Sequence, residues 1–213
     1  GSLLSTKNIV IATGASPAIP PIPGLEDSAY STSDSIWKLR ELPKKLLVIG
    51  GGPIGCELAQ AFRRLGSQVT ILTRDPKVLP KEDRDLAELV LKNFESEGIQ
   101  MQTEVKVERI EKKNSEQHVY FRKDGVEQHI KADHILLATG RKPGTSGLGL
   151  KEVGVELNPD GPVKVDPFLR SSIPNIYACG DVAGPFQFTH VAGHQAWYAT
   201  VNALFSPFKK FAV

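Results

Sequence analysis

Cysteine is nearly missing from this sequence: Cys56 and Cys179 are the two it has, far apart in 213 residues. A disulfide framework is excluded, and a reducing, cytoplasmic setting is the expectation. Excess charge of one sign is also missing. The 26 Lys and Arg are interspersed with 24 Asp and Glu, and a net charge of +2 builds no surface for nucleic acid. No apolar run approaches the roughly 20 residues that span a bilayer, so no membrane partner is expected. The N-terminus has no signal-peptide pattern, and Gly1-Ser2 reads as a remnant of cloning. Repeats and low-complexity stretches do not occur, and without a G-x-S-x-G elbow hydrolase chemistry has no support. What remains is an ordinary soluble composition, 40% hydrophobic with 19 glycines, long enough for one or two domains.

The elements follow from periodicity and punctuation. Asn8 to Gly14 is an apolar run that stops at glycine and reads as a buried strand. Pro17, Pro20, Pro21 and Pro23 make 16–24 a connector. A short helix is expected from Ser33 or Asp34 through Arg40, ending before Pro43. An alternation of strand (45–49), helix (53–65), strand (68–72), helix (83–97) and strand (99–101) follows, the second helix with an apolar stripe of Leu86, Leu89, Val90 and Phe94. Three short alternating segments, 104–110, 117–122 and 127–131, then predict an antiparallel meander with a turn at Lys123-Asp124-Gly125. The run 134–138 returns to the apolar pattern. Beyond Arg141 come short pieces, a strand near 175–181 and a last helix over 189–205, with Thr189 as N-cap and Pro207 as its end. The expectation is an α/β fold, a Rossmann-like parallel sheet carrying an antiparallel β-meander. Its domain is expected over 31–143, flanked by 1–30 and 144–213.

Gly50-Gly51-Gly52-Pro53-Ile54-Gly55 fits G-x-G-x-x-G directly between a strand and a helix. In that pattern the first glycine permits the tight turn, the second admits a pyrophosphate to the backbone, and the third lets helix and strand pack closely. The helix N-terminus supplies N–H donors and partial positive charge. A dinucleotide site is expected because strand, helix and second strand follow in register. An acid at the end of the second strand favours NAD, whereas an arginine nearby suits the 2′-phosphate of NADP. Here Thr73 stands where the acid is expected, Arg74 follows, and Lys77 and Lys81 add positive charge. NADPH is favoured over NADH, with Asp75 left as a ribose ligand in the alternative.

With these residues assembled, the chain resembles the pyridine nucleotide-disulfide oxidoreductases, flavoenzymes that include mercuric reductase and dihydrolipoamide dehydrogenase. The match rests on Ile11 to Ala15, Gly50 to Glu57, Ala138 to Pro143 and Tyr177 to Asp181, in the family's order and at about its spacing. The resemblance implies that Gly50, Gly51, Gly52, Pro53, Ile54 and Gly55 hold the NAD(P) pyrophosphate and that Thr73 and Arg74 meet the adenosine end. Gly140 and Arg141 would line the nicotinamide side, and Glu57, as the catalytic residue, would face nicotinamide and flavin. On the FAD side it implies Thr13, Gly14 and Gly180, with Asp181 on a ribityl hydroxyl. The helix opening Thr189-His190-Val191-Ala192 would aim its amides at the flavin's pyrimidine end, where the reduced ring is anionic.

The family's N-terminal glycine loop, its Cys-x4-Cys pair and its C-terminal interface domain with a catalytic His-Glu pair do not occur in the sequence. It is therefore expected to be a piece of a longer, homodimeric flavoprotein, with the flanks as partial FAD-domain segments and little reductase activity by itself. A flavin-free dehydrogenase and a non-catalytic redox-sensing module are the rival readings. Cys56 and Cys179 are expected to be packing residues. His190 and His194 have metal-ligand spacing, but no third ligand suggests itself and no metal is expected. Phe186, Phe188, Trp197, Tyr198 and Phe205 are expected in a core or a domain interface, and Lys112-Lys113 and Lys209-Lys210 as solvated charges.

Overall fold

The structure is a computed structural model that describes residues 3–205 and 210–211. Gly1, Ser2, Pro207 and Lys209, on which some expectations fell, lie outside the described residues. Strands β1 (Ile9–Ile11) and β2 (Ala15–Pro17) come first, then β3 (Tyr30–Thr32), a 3-10 turn over Ile36–Lys38, and β4 (Lys45–Ile49). Helix α1 (Pro53–Leu65), β5 (Gln68–Leu72), α2 (Arg84–Ser96) and β6 (Gln100–Gln102) follow. Next are β7 (Lys106–Lys113), β8 (Glu116–Lys123), β9 (Val126–Ala132) and β10 (His134–Leu137). The chain continues through β11 (Arg141–Pro143), β12 (Ile176–Ala178), a 3-10 turn over Gly180–Val182 and α3 (Thr189–Phe205).

Two compact units result: Pro17–Gly140, and Gly1–Ser16 with Arg141–Val213. The division falls near 16 and 140, where the sequence suggested 30 and 143, because Ile22, Leu25 and Tyr30 pack into the core of the central unit.

In the central unit five strands pair in the order β3-β10-β4-β5-β6, all parallel. Side chains of a strand alternate between faces, and β4 shows the result. Leu46 and Val48 point to the layer of α1 and α2, with Ala59, Ile71 and Phe94; Leu47 and Ile49 point to the layer of the meander, with Val119 and Phe121. A strand buried on both sides reads as an unbroken apolar run, as this one does. The meander pairs β7-β8-β9 antiparallel, and its second turn is the two-residue Asp124-Gly125, both at positive φ as such hairpins require.

Three local expectations change. Strand β3 has no sequence signal, being three residues long and at the sheet edge, and it forms because Tyr30 to Thr32 find the ladder of β10. The helix expected over 34–40 shortens to the 3-10 turn, which buries Ile36 and leaves Trp37 exposed. On α2 the buried face is turned from the expected stripe: Ala87 and Phe94 are buried, Val90 and Leu91 partly so, whereas Leu86 and Leu89 are 55% and 57% exposed.

His134, on β10, shares a 2.8 Å hydrogen bond with the Ser31 hydroxyl, and burial holds its pKa below the usual histidine value. The unfolded chain then binds the proton more readily, so stability is fully present above the unfolded pKa of about 6.5 and declines as pH falls toward the folded pKa. Thermal denaturation between pH 7.5 and 5 should show a slope that His134→Gln flattens.

In the other unit β1 pairs in parallel with β12, and β2 pairs with β11. Ile11, Val163, Ala178 and Val182 form one small core, and Leu169, Tyr177, Cys179 and Ala199 a second that includes α3. Tyr198 packs against the second core, whereas Phe186, Phe188, Trp197 and Phe205 are exposed, which leaves a domain interface and not the core as the expectation for those four. Among the described residues no helix is long and apolar enough to cross a membrane.

Candidate functional site

The glycine loop occupies the carboxyl end of β4, the edge at which parallel sheets bind ligands. Each glycine has its own reason. Gly50 has φ +120°, and a Cβ there would lie 2.2 Å from the carbonyl oxygen of Ala138. At Gly55 a Cβ would lie 2.2 Å from the carbonyl oxygen of Gly50, so helix and strand approach closely. Gly52 differs: a Cβ would meet nothing within 4 Å, and the space over it is open. Gly52 is also the N-cap of α1, with no side-chain cap and with Pro53 at the first helical position. The N–H groups of Gly52, Ile54 and Gly55 therefore have no acceptor within the helix, and the first turn carries no acidic residue. Open space beside free amides at a positive helix end suits a phosphate-bearing ligand. Glu57 is exposed one turn further along α1.

At the end of β5, Thr73 is buried and its Oγ1 accepts the Asp75 N–H at 3.2 Å. Arg74 is exposed and has no ion-pair partner among the described residues. Lys77 is spent on its own loop, its Nζ donating to the Glu82 carbonyl at 2.7 Å. Sequence reasoning missed Val78 and Leu79. Val78 is 1% exposed in the helix-side core, and the Leu79 N–H donates to the Gly51 carbonyl at 2.7 Å. Gly140, at φ +115°, has open space where a Cβ would stand, and its carbonyl accepts the Ala18 N–H. A groove of about 600 Å³ opens at the opposite, amino ends of the strands beside Lys45, Arg63, Gln68 and Gln100, and no residue of the glycine loop or of 73–79 lines it.

Within the other unit the structure brings together two residues the sequence had assigned to different cofactors. The Arg141 guanidinium donates to the Ala15 carbonyl and lies 3.5 Å from the Asp181 carboxylate. Thr13 donates its hydroxyl to the Gly144 carbonyl, and Gly144 returns its N–H to Gly14. Gly180, at φ +75°, passes close to Ala192, where a Cβ would approach to 3.3 Å. Helix α3 begins at Thr189 itself, and the Ala192 N–H reaches the Phe188 carbonyl, so Phe188 takes the cap position expected of Thr189. The N–H groups of Thr189, His190 and Val191 then lack intrahelical acceptors.

Sequence reasoning also missed Gln195. Its buried side chain accepts the Gly180 N–H at 2.7 Å and donates to the Gly184 carbonyl at 2.9 Å. The available signal was a polar residue at helical spacing between Ala192 and Ala199.

His190 stacks on Phe188 and His194 on Tyr198. No group of three His, Cys, Asp or Glu that could hold a metal occurs among the described residues. Both cysteines are buried, and burial pushes the Cys56 thiol up to about 11 and raises that of Cys179.

A family model for pyridine nucleotide-disulphide oxidoreductases matches residues 1–196. The chain is 38% identical to mercuric reductase of Staphylococcus aureus over 204 residues, which is 96% of this chain and 37% of that protein. It is 37% identical to dihydrolipoyl dehydrogenase of Thermus scotoductus, across 95% of this chain and 44% of that one. Among solved structures, the Cu(II) complex of the HOCl-induced flavoprotein disulfide reductase RclA from Escherichia coli aligns with a TM-score of 0.86 at 34% identity, covering 96% of this chain and 46% of that chain. An engineered water-forming NADPH oxidase bound to NADPH aligns with a TM-score of 0.85 at 26% identity, covering 98% and 48%. The chain thus spans less than half the length of each of these relatives.

Proposed function

The chain belongs to the pyridine nucleotide-disulphide oxidoreductases, and on that premise we propose that its central unit holds NADPH for hydride donation in a flavin-dependent oxidoreductase. The observation that carries the reading is the open backbone at Gly52 beside the uncapped amino end of α1. In the proposed complex the N–H groups of Gly52, Ile54 and Gly55 bind the pyrophosphate, with Gly50, Gly51 and Pro53 setting the loop's path. Glu57 and Gly140 serve the nicotinamide end. Arg74, exposed and unpaired, binds the 2′-phosphate, for which a guanidinium offers a bidentate fork. Thr73, next to it, brings no carboxylate to repel that phosphate. The engineered oxidase bound to NADPH carries a comparable change, an aspartate exchanged for alanine and the next residue for arginine.

The family implies FAD, and the residues of the other unit fit it. The free amides at Thr189 to Val191 suit an anionic ring edge, and the partly exposed Asp181 carboxylate suits a hydroxyl. When bound, FAD supplies the two-electron acceptor for the nicotinamide hydride. Thr13, Gly14, Gly180 and Ala192 shape the backbone around those groups. We assign Arg141 to the flavin side, as the cation that orients Asp181. For the whole protein, a homodimer, the proposed activity is reduction of a disulfide, a metal ion or a related acceptor.

The test is separate titration with NADPH and NADH, followed by nicotinamide fluorescence. NADPH should bind more tightly, and Arg74→Ala should weaken it about 10- to 100-fold, the range for one lost charge-assisted contact, while leaving NADH within about twofold. Equal losses for both nucleotides, or no binding of either, would overturn the reading.

A further inference from the structure

The loop that carries the proposed coenzyme-discriminating arginine is closed at both ends on one residue. At its start, the Thr73 side chain leans on Gly51, where an added Cβ would come within 3.1–3.3 Å of three Thr73 atoms. At its end, the Leu79 N–H donates to the Gly51 carbonyl at 2.7 Å, and the Cys56 thiol donates to the same oxygen at 3.4 Å. Between these ends the lobe is fastened further. Asp75 N–H returns to Thr73 Oγ1, Val78 is sunk in the core with Cys56 and Ile71, and Glu82 N–H and Lys77 Nζ close the stretch beyond. Leu79 itself adopts φ +48°, a conformation that a leucine enters only when its surroundings impose it.

We propose that Gly51 is a joint making coenzyme discrimination and pyrophosphate binding act as one body, with Val78 and Leu79 as positioning residues for Arg74. The inference rests on the reading of the glycine loop as a nucleotide site and deepens it. The physical reason is entropic. An arginine on a free lobe must be ordered with its backbone each time a phosphate binds, whereas a lobe already fixed at both ends loses less freedom. Gly51 and Gly52 are neighbours in the chain, so a lobe held on the first keeps the 2′-phosphate contact in register with the pyrophosphate held at the second. Gly51 thus has a reason of its own. Its Cβ-free surface receives Thr73 and its carbonyl receives Leu79.

The full 213-residue chain is titrated with NADPH and with NADH as wild type, Val78→Ala, Arg74→Ala and the double variant. Val78→Ala loosens the anchor without touching either ligand. NADPH affinity should fall about tenfold and NADH affinity should stay within about twofold, with far-UV circular dichroism unchanged. In the Val78→Ala background, Arg74→Ala should cost NADPH much less than it costs in the wild type, because residues that act through one another are not additive. Leu79→Asn keeps the N–H, tolerates positive φ and should retain most of the NADPH preference. An equal fall for both nucleotides in Val78→Ala, or an undiminished Arg74→Ala effect in the double variant, overturns the joint while leaving the nucleotide site standing. Wild-type protein that binds neither nucleotide overturns both.

Discussion

Gly50→Ala and Gly52→Ala are expected to fail in opposite ways, although the two residues are neighbours in one motif. Gly50→Ala should lose about 3–5 kcal/mol of stability, since its backbone lies at φ +120° and the new methyl would overlap the carbonyl of Ala138, the residue after β10. Neither partner of that clash can rotate away, because both are backbone. The thermal midpoint should fall by roughly 10 °C, and nucleotide binding should go with the fold. Gly52→Ala places its methyl in open space at φ −77°, which any residue adopts. Stability should stay within about 0.5 kcal/mol of wild type or rise slightly, since alanine restricts the unfolded chain. The same methyl occupies the approach of the pyrophosphate to the backbone, so NADPH and NADH affinities should both fall at least about tenfold. Calorimetry and nucleotide titration on the pair separate the two effects. A Gly52→Ala protein that binds like wild type would remove the glycine loop from the binding site.

Gln195→Leu is expected to be the most costly side-chain substitution in the second unit. Leucine has about the right volume but leaves the buried Gly180 N–H and Gly184 carbonyl without partners. At about 1–3 kcal/mol for each stranded group, the loss should be roughly 2–6 kcal/mol, read by chemical denaturation. Gln195→Glu separates the two bonds. An ionised glutamate accepts from Gly180 but faces the Gly184 carbonyl with a second acceptor, whereas a protonated one can donate to it. Burial raises the folded-state pKa of such a glutamate above its unfolded value of about 4.3. At this position the unfolded chain then holds fewer protons than the folded one, so the glutamate should add stability as pH falls from 7 toward 5 and counter the slope set by His134. A variant with the wild-type slope would show that the Gly184 contact does not matter.

The parts of the molecule legible in the sequence are those whose cause is local. The strands over 45–49 and 68–72 announce themselves as apolar runs between turn signals, and the meander by alternation with Asp124-Gly125 at its turn. The glycine loop is legible for the same reason, since a tight turn, a close approach and a helix start each demand a residue type at a fixed spacing. The apolar stripe of α2 was misread because periodicity offers several adjacent faces. Choosing Ala87 and Phe94 over Leu86 and Leu89 depends on the sheet beneath. Strand β3 exists only through its partner 103 residues later, where Ser31 meets His134.

From residue order alone followed the fold class, together with the loop and the arginine on which the proposed coenzyme site rests. All three rest on backbone geometry that short stretches impose on themselves. Tertiary structure alone decided that the Leu79 N–H meets the Gly51 carbonyl and Val78 is buried with Cys56 and Ile71, that Arg141 stands beside Asp181, and that Gln195 closes the turn after Gly180. These are contacts between groups whose identities carry no local pattern. A buried donor must find an acceptor wherever the folded chain brings one, and the separation along the chain says nothing about which.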